Sequence, residues 1–87
     1  MSKIHVSFTK VGNNFVAEYA GNSGVLQIRH KTNALVDFFG DAGAGYMPID
    51  IERGKNIILA LSMAGLDKVK IISNAEVEEC VVNQFNS

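Results

Sequence analysis

Three short runs at the start of the chain alternate apolar and polar residues, and each is closed by glycine and asparagine. They are Ile4–Thr9, Phe15–Tyr19 and Val25–His30. The segments between them, Val11-Gly12-Asn13-Asn14 and Gly21-Asn22-Ser23-Gly24, carry the residues that tight turns demand. A period of two places Ile4, Val6 and Phe8 on one face and His5, Ser7 and Thr9 on the other. Phe15, Ala17 and Tyr19 alternate in the same way, as do Leu26, Ile28 and His30. The pattern predicts an antiparallel meander with one apolar face, which later residues must cover.

The residues that follow supply helical signals. Thr32 stands where an N-cap would precede a helix over Asn33–Phe39, with Leu35, Phe38 and Phe39 as its apolar stripe and Gly40 as its stop. Pro48 and the N-cap candidate Asp50 open a second helix, Asp50–Ala64, closed by Gly65 and Leu66. Its apolar face holds Ile51, Ile57, Ile58, Leu61 and Ala64. Gly54 interrupts it at a cost of about 1 kcal/mol relative to alanine. Lys68–Ile72 alternates again and reads as a strand. The tail supports two readings. Ser73-Asn74-Ala75-Glu76 matches a capping box ahead of a helix bearing Val77, Cys80, Val81 and Phe85. The β-branched Val77, Val81 and Val82 favour instead a hairpin strand returning along Lys68–Ile72. The expected fold is α+β: an antiparallel three- to five-stranded sheet, β-β-β-α-α-β with a C-terminal strand or helix, and two helices packed on one face. Residues 1–87 read as a single domain.

A chain of 87 residues buries only about 60–65% of its unfolded surface, which leaves little room for a deep pocket. Cys80 is the only cysteine, so an intramolecular disulfide and a multi-cysteine zinc site are both excluded. A reducing, cytoplasmic setting follows as the expectation. No apolar run approaches the ~20 residues of a membrane helix, and no leader pattern opens the chain. The net charge is −1, so little repulsion opposes a homodimer. Charge is uneven: residues 1–31 carry an excess of three positive charges and residues 32–87 an excess of four negative ones.

Few residues carry chemistry. His5 and His30 fall on different strands in opposite phases, so they do not converge on a metal. Cys80 follows Glu76, Glu78 and Glu79, whose charge disfavours a thiolate, and it reads as a small core residue. No nucleophile–base arrangement is legible, and no cofactor is implied. The segment Gly40–Pro48 has the layout of an anion cradle ahead of a helix. It lacks the Lys-Ser/Thr pair of a P-loop, and Asp41 and Asp50 would repel a phosphate.

What remains is surface. The leading expectation is a small non-enzymatic protein-interaction domain, an inhibitor or adaptor that binds a larger protein partner. Phage-encoded antagonists of host defence, such as anti-CRISPR-type inhibitors, are small domains of this class. The candidate partner-binding residues are Asp41, Tyr46 and Met47 in the glycine-rich loop, with Glu76, Glu78 and Glu79 in the acidic tail. One alternative is a nucleic-acid module using Lys3, Arg29 and Lys31 on the basic strands. Another is a small-ligand or nucleotide binder at the glycine-rich loop.

Overall fold

A computed structural model describes residues 2–21, 23–61 and 66–84. Their elements are all strands: β1 (Ser2–His5), β2 (Thr9–Val11), β3 (Asn14–Ala20), β4 (Val25–Asp41), β5 (Tyr46–Ala60), β6 (Lys68–Ser73) and β7 (Glu79–Gln84). Strands make up 74% of the structure and no helix occurs among the described residues, so the α+β expectation is overturned. The fold is a curled antiparallel half-barrel.

The strand order is β1-β7-β4-β6-β3-β2, with β5 on the other edge of β4. The organising element is β4, whose 17 residues are too many for one flat sheet. Its first part, Val25–Arg29, lies between β5 and β7, and its last part, Val36–Asp41, lies between β5 and β6. The ladder with β5 breaks register between Arg29 and Ala34, and there the sheet turns. The curl places the core on the concave side, where Leu26, Ile28, Val36, Phe38, Val69, Ile71 and Val82 are almost completely buried.

The helix expected over Asn33–Phe39 is part of β4. Period two holds on both sides of the turn in this strand: Leu26, Ile28, His30, Ala34, Val36, Phe38 and Gly40 are all buried, while Thr32, in the same phase at the turn itself, is exposed. The stripe Leu35, Phe38 and Phe39 is divided by the pleat, with Phe38 in the core and the other two half-buried on the opposite face. Thr32 caps nothing, and Gly40 stops no helix; Gly40 lies so close to Leu66 that an added Cβ would stand 2.6 Å from its methyls. Of the second expected helix, Asp50 to Ala60 belong to β5, the buried Leu61 follows the strand, and residues 62–65 lie outside the described residues. Asp50 does not open a helix; its carboxylate accepts the N–H of the next strand residue, Ile51, at 2.9 Å. Ile51 and Ile58, expected on a buried helical face, are exposed. The β-branched residues and non-local pairing outweigh local helical spacing here.

The meander is realised only in part. The first run divides into β1 and β2, and β2 pairs with β3 across the two-residue turn Gly12-Asn13. However, β3 meets β6 rather than β4. The tail is a strand, but β7 pairs with β1 and β4, not with β6 as a hairpin would require. Phe85 lies outside the described residues.

His30 and Ser73 join β4 to β6 where the sheet turns. His30 Nε2 and Ser73 Oγ are 2.8 Å apart, and Ser73 Oγ donates to the Ala75 carbonyl at 2.7 Å. The hydroxyl hydrogen is thus committed, so the imidazole Nε2–H is the donor to Ser73. Nδ1 is buried without a hydrogen-bond partner. Desolvation holds the His30 pKa below its ordinary value, while the backbone of Lys55 acts in the opposite sense.

Candidate functional site

The glycine-rich segment is the turn between β4 and β5. Asp41 Oδ1 accepts the N–H of Gly43 at 2.6 Å and of Gly45 at 3.2 Å, and Lys68 Nζ stands 3.8 Å from Oδ2. The Gly43 bond, followed by that of Gly45 and the Lys68 charge, holds the Asp41 pKa below its ordinary value. The amides that would cradle a phosphate are therefore occupied by the chain's own carboxylate. The helix that would have stood behind them is a strand.

Tyr46 is turned inward over the outer face of the sheet. Its hydroxyl donates to Glu18 Oε2 at 2.8 Å. Lys70 Nζ lies 4.6 Å and Lys68 Nζ 5.4 Å from its ring centroid, within cation–π range. Desolvation first, then the bond to Glu18, pushes the phenol up to about 12. Tyr46 thus fastens β5 to β3 and β6, and Asp41 locks the turn. Of the three loop candidates, Met47 alone is a large exposed side chain, 64% accessible.

The acidic tail meets the basic strands. Arg29 bonds Glu78 through one guanidinium nitrogen and lies 3.4 Å from Glu79 through the other. The Glu78 N–H donates to the Arg29 carbonyl at 2.8 Å, which fixes the approach to β7. Glu76 is exposed at the rim of a groove of about 330 Å³ that Lys31 and Thr32 also line. Two candidate surfaces, one acidic and one basic, are therefore one mixed surface. Lys3 stands on β1, paired with Asn83. Lys68 and Lys70 lie beside Asp41 and Glu18, so the uneven charge along the chain is interleaved at these places in the fold.

Cys80 is in the core, where burial pushes its thiol up to about 12. His5 is exposed on β1 and His30 buried in β4, and no cluster of three metal-ligating side chains occurs among the described residues. No helix of the described residues is long and apolar enough to cross a membrane.

The feature missed by the sequence reading is the outer edge of β5. This strand of 15 residues has β4 on one side and no strand on the other among the described residues. Five large apolar side chains are exposed among the described residues, and four are on β5: Met47, Ile49, Ile51 and Ile58. The signal was present as period two in Ile49-Asp50-Ile51-Glu52, masked by the helical spacing of Ile51, Ile58 and Leu61. No protein-family model, curated protein or solved structure matches the chain.

Proposed function

We propose that this chain is a small non-enzymatic protein-interaction domain, an inhibitor or adaptor whose docking element is the outer edge of β5. The observation that carries this reading is the coincidence of a long edge, unpaired among the described residues, with four exposed apolar side chains. An unpaired edge offers main-chain donors and acceptors to an extended segment, and side chains beside it give selectivity. Pro48, which has no N–H, and the charges of Asp50, Glu52, Arg53 and Lys55 guard the same edge against indiscriminate pairing. Such a strand selects a particular partner rather than any exposed sheet. Met47 belongs to this surface; Asp41 and Tyr46 support it from behind.

The test compares affinity capture by the wild-type chain and by the Ile51→Lys/Ile58→Lys variant, read by quantitative mass spectrometry. Both residues are exposed, so the variant keeps its core. Stoichiometric partners retained by the wild type should be lost by the variant. Equal recovery by the two proteins would remove β5 from the binding surface.

A further inference from the structure

The backbone phase of β5 shows which groups its free edge offers. Antiparallel ladders alternate residue pairs that bond each other with pairs that point away. Four hydrogen bonds set the phase of β4. The carbonyls of Arg29, Leu35 and Asp41 accept the N–H groups of Glu78, Asn74 and Asp67, and the Leu35 N–H donates to the Asn74 side chain. Odd-numbered residues of β4 thus face β7 and β6, and even-numbered ones face β5. Phe38 and Val36 therefore bond Asp50 and Glu52, while Ile28 and Leu26 bond Ile57 and Leu59. By alternation, Ile51, Arg53, Asn56 and Ile58 turn their N–H and C=O groups to the free edge, where the Ile51 N–H is held by the Asp50 carboxylate at 2.9 Å until a partner carbonyl replaces it.

The side chains of these residues follow suit. Ile51 pairs with Asp37 and Ile58 with Gln27, both on the outer face of β4. Between them β5 changes phase by one residue at Gly54 and Lys55, since Glu52 and Ile57 both face the concave side. Gly54, with a φ of 155°, accommodates this irregularity. The result is a strand symmetric about its own middle. On either side of the 54/55 link stand a polar residue and then an exposed isoleucine, all with outward backbone groups and on one face.

We propose, on the reading that β5 is the docking edge, that its partner is β5 of a second copy. The two strands would run antiparallel about a two-fold axis between Gly54 and Lys55. This register sets Ile51 of each copy against Ile58 of the other, and Arg53 against Asn56. It buries the exposed isoleucines, 64% and 61% accessible in the single chain, twice over. A depression of about 230 Å³, lined in part by Gln27, Asn56, Ile58 and Val81, adjoins this contact. Charge favours the same arrangement. It opposes Asp50 to Leu59, Glu52 to Ile57 and Lys55 to Gly54, so no like charges meet directly. Registers centred on Ile51, Glu52 or Arg53 would set Asp50 against Glu52, Glu52 against itself or Arg53 against itself. A net charge of −1 adds little repulsion between copies.

Two experiments test the pairing. In sedimentation velocity between about 1 µM and about 500 µM, a span covering interfaces of modest affinity, the wild-type mass should rise from 9.4 kDa toward twice that value. The Ile51→Lys/Ile58→Lys variant should stay monomeric throughout. Register is read with one cysteine introduced at a time into chains that also carry Cys80→Ala, which removes the native thiol. Bonded pairs have Cα atoms about 5.5 Å apart, inside the disulfide window, whereas the two copies of residue 51 would lie about 23 Å apart. An equimolar mixture of Ile51→Cys and Ile58→Cys chains should therefore cross-link under mild oxidation, and neither alone should do so. Cross-linking of Ile51→Cys by itself would overturn the register. A wild-type chain monomeric at the highest concentration would overturn self-pairing. In that event, partner capture lost on Ile51→Lys/Ile58→Lys would leave the docking edge standing, and capture unaffected by it would remove both readings.

Discussion

Val36→Ala separates the strand from the helix that the same residues suggest. In a helix over Asn33–Phe39 with Leu35, Phe38 and Phe39 inward, Val36 would stand off the apolar stripe, and alanine would be neutral or slightly stabilising. In β4, Val36 is 0% exposed. The substitution removes two methyl groups, about 1.6 kcal/mol by transfer at about 0.8 kcal/mol each. A residual cavity of about 40 Å³ adds about 1 kcal/mol at ~24 cal/mol per Å³. The expected loss is about 2.5 kcal/mol. A chain of this length has a total stability of roughly 4–13 kcal/mol, so the variant should still fold. With a urea slope of about 1 kcal/mol per M, the midpoint should drop by about 2.5 M. The measurement is urea unfolding followed by far-ultraviolet circular dichroism in dilute protein. Ile51→Ala serves as the reference, because that side chain is 64% exposed and should cost less than about 0.5 kcal/mol. An unchanged midpoint for Val36→Ala together with a large loss for Ile51→Ala would refute the strand assignment of both segments.

Gly24→Ala should destabilise by about 2 kcal/mol or more, read as a lower melting temperature. Gly24 has a φ of 97°, and its added Cβ would lie 2.2 Å from the Asn83 carbonyl oxygen, a backbone atom that cannot step aside. His30 makes stability fall with acid. Its folded pKa lies below the unfolded value of about 6.5, so its full contribution is present above that pH and is lost as the pH drops toward the folded value. Unfolding free energies measured at steps across this window should show a slope that His30→Leu flattens. Asp41→Ala should free the amides of the turn. Adding inorganic phosphate should then move the amide resonances of Gly43 and Gly45 in the variant and leave the wild type unchanged.

The parts of the fold legible in the sequence are those whose pairing is local. Gly12-Asn13 between two alternating runs announced the β2–β3 hairpin, and Lys68–Ile72 announced β6. The continuation of β4 past His30 was hidden because Leu35, Phe38 and Phe39 also satisfy helical spacing, and a short apolar run fits both periods. Only the long-range ladders to β5 and β6 decide the matter. In β5, Pro48, Asp50 and Gly54 resemble helix punctuation, yet they serve as edge proline, local N–H acceptor and strand irregularity. Asp41, Tyr46 and Met47 are together on one hairpin, but which of them is exposed depends on Glu18 and Lys70, remote in sequence. The pairing of Arg29 with Glu78 and Glu79 spans 49 and 50 residues and leaves no local trace.

The double duty of β4 also shapes how fast the molecule assembles. Its contact with β5 closes across a turn of four residues, Ala42–Gly45, and a hairpin of this kind zips in about 1–10 µs. Every other ladder to β4 must wait for a distant segment: β6 closes a loop from Asp41 to Lys68, and β7 one from Arg29 to Glu79. Loop closure of this length is an entropic obstacle that contacts repay only after it is crossed. The β4–β5 hairpin is therefore the expected nucleus, and the arrival of β6 and β7 on its opposite edge the expected slow step. Until then both edges of β4–β5 stand open, and the interval before β6 and β7 dock is when encounters between chains have the most to pair with.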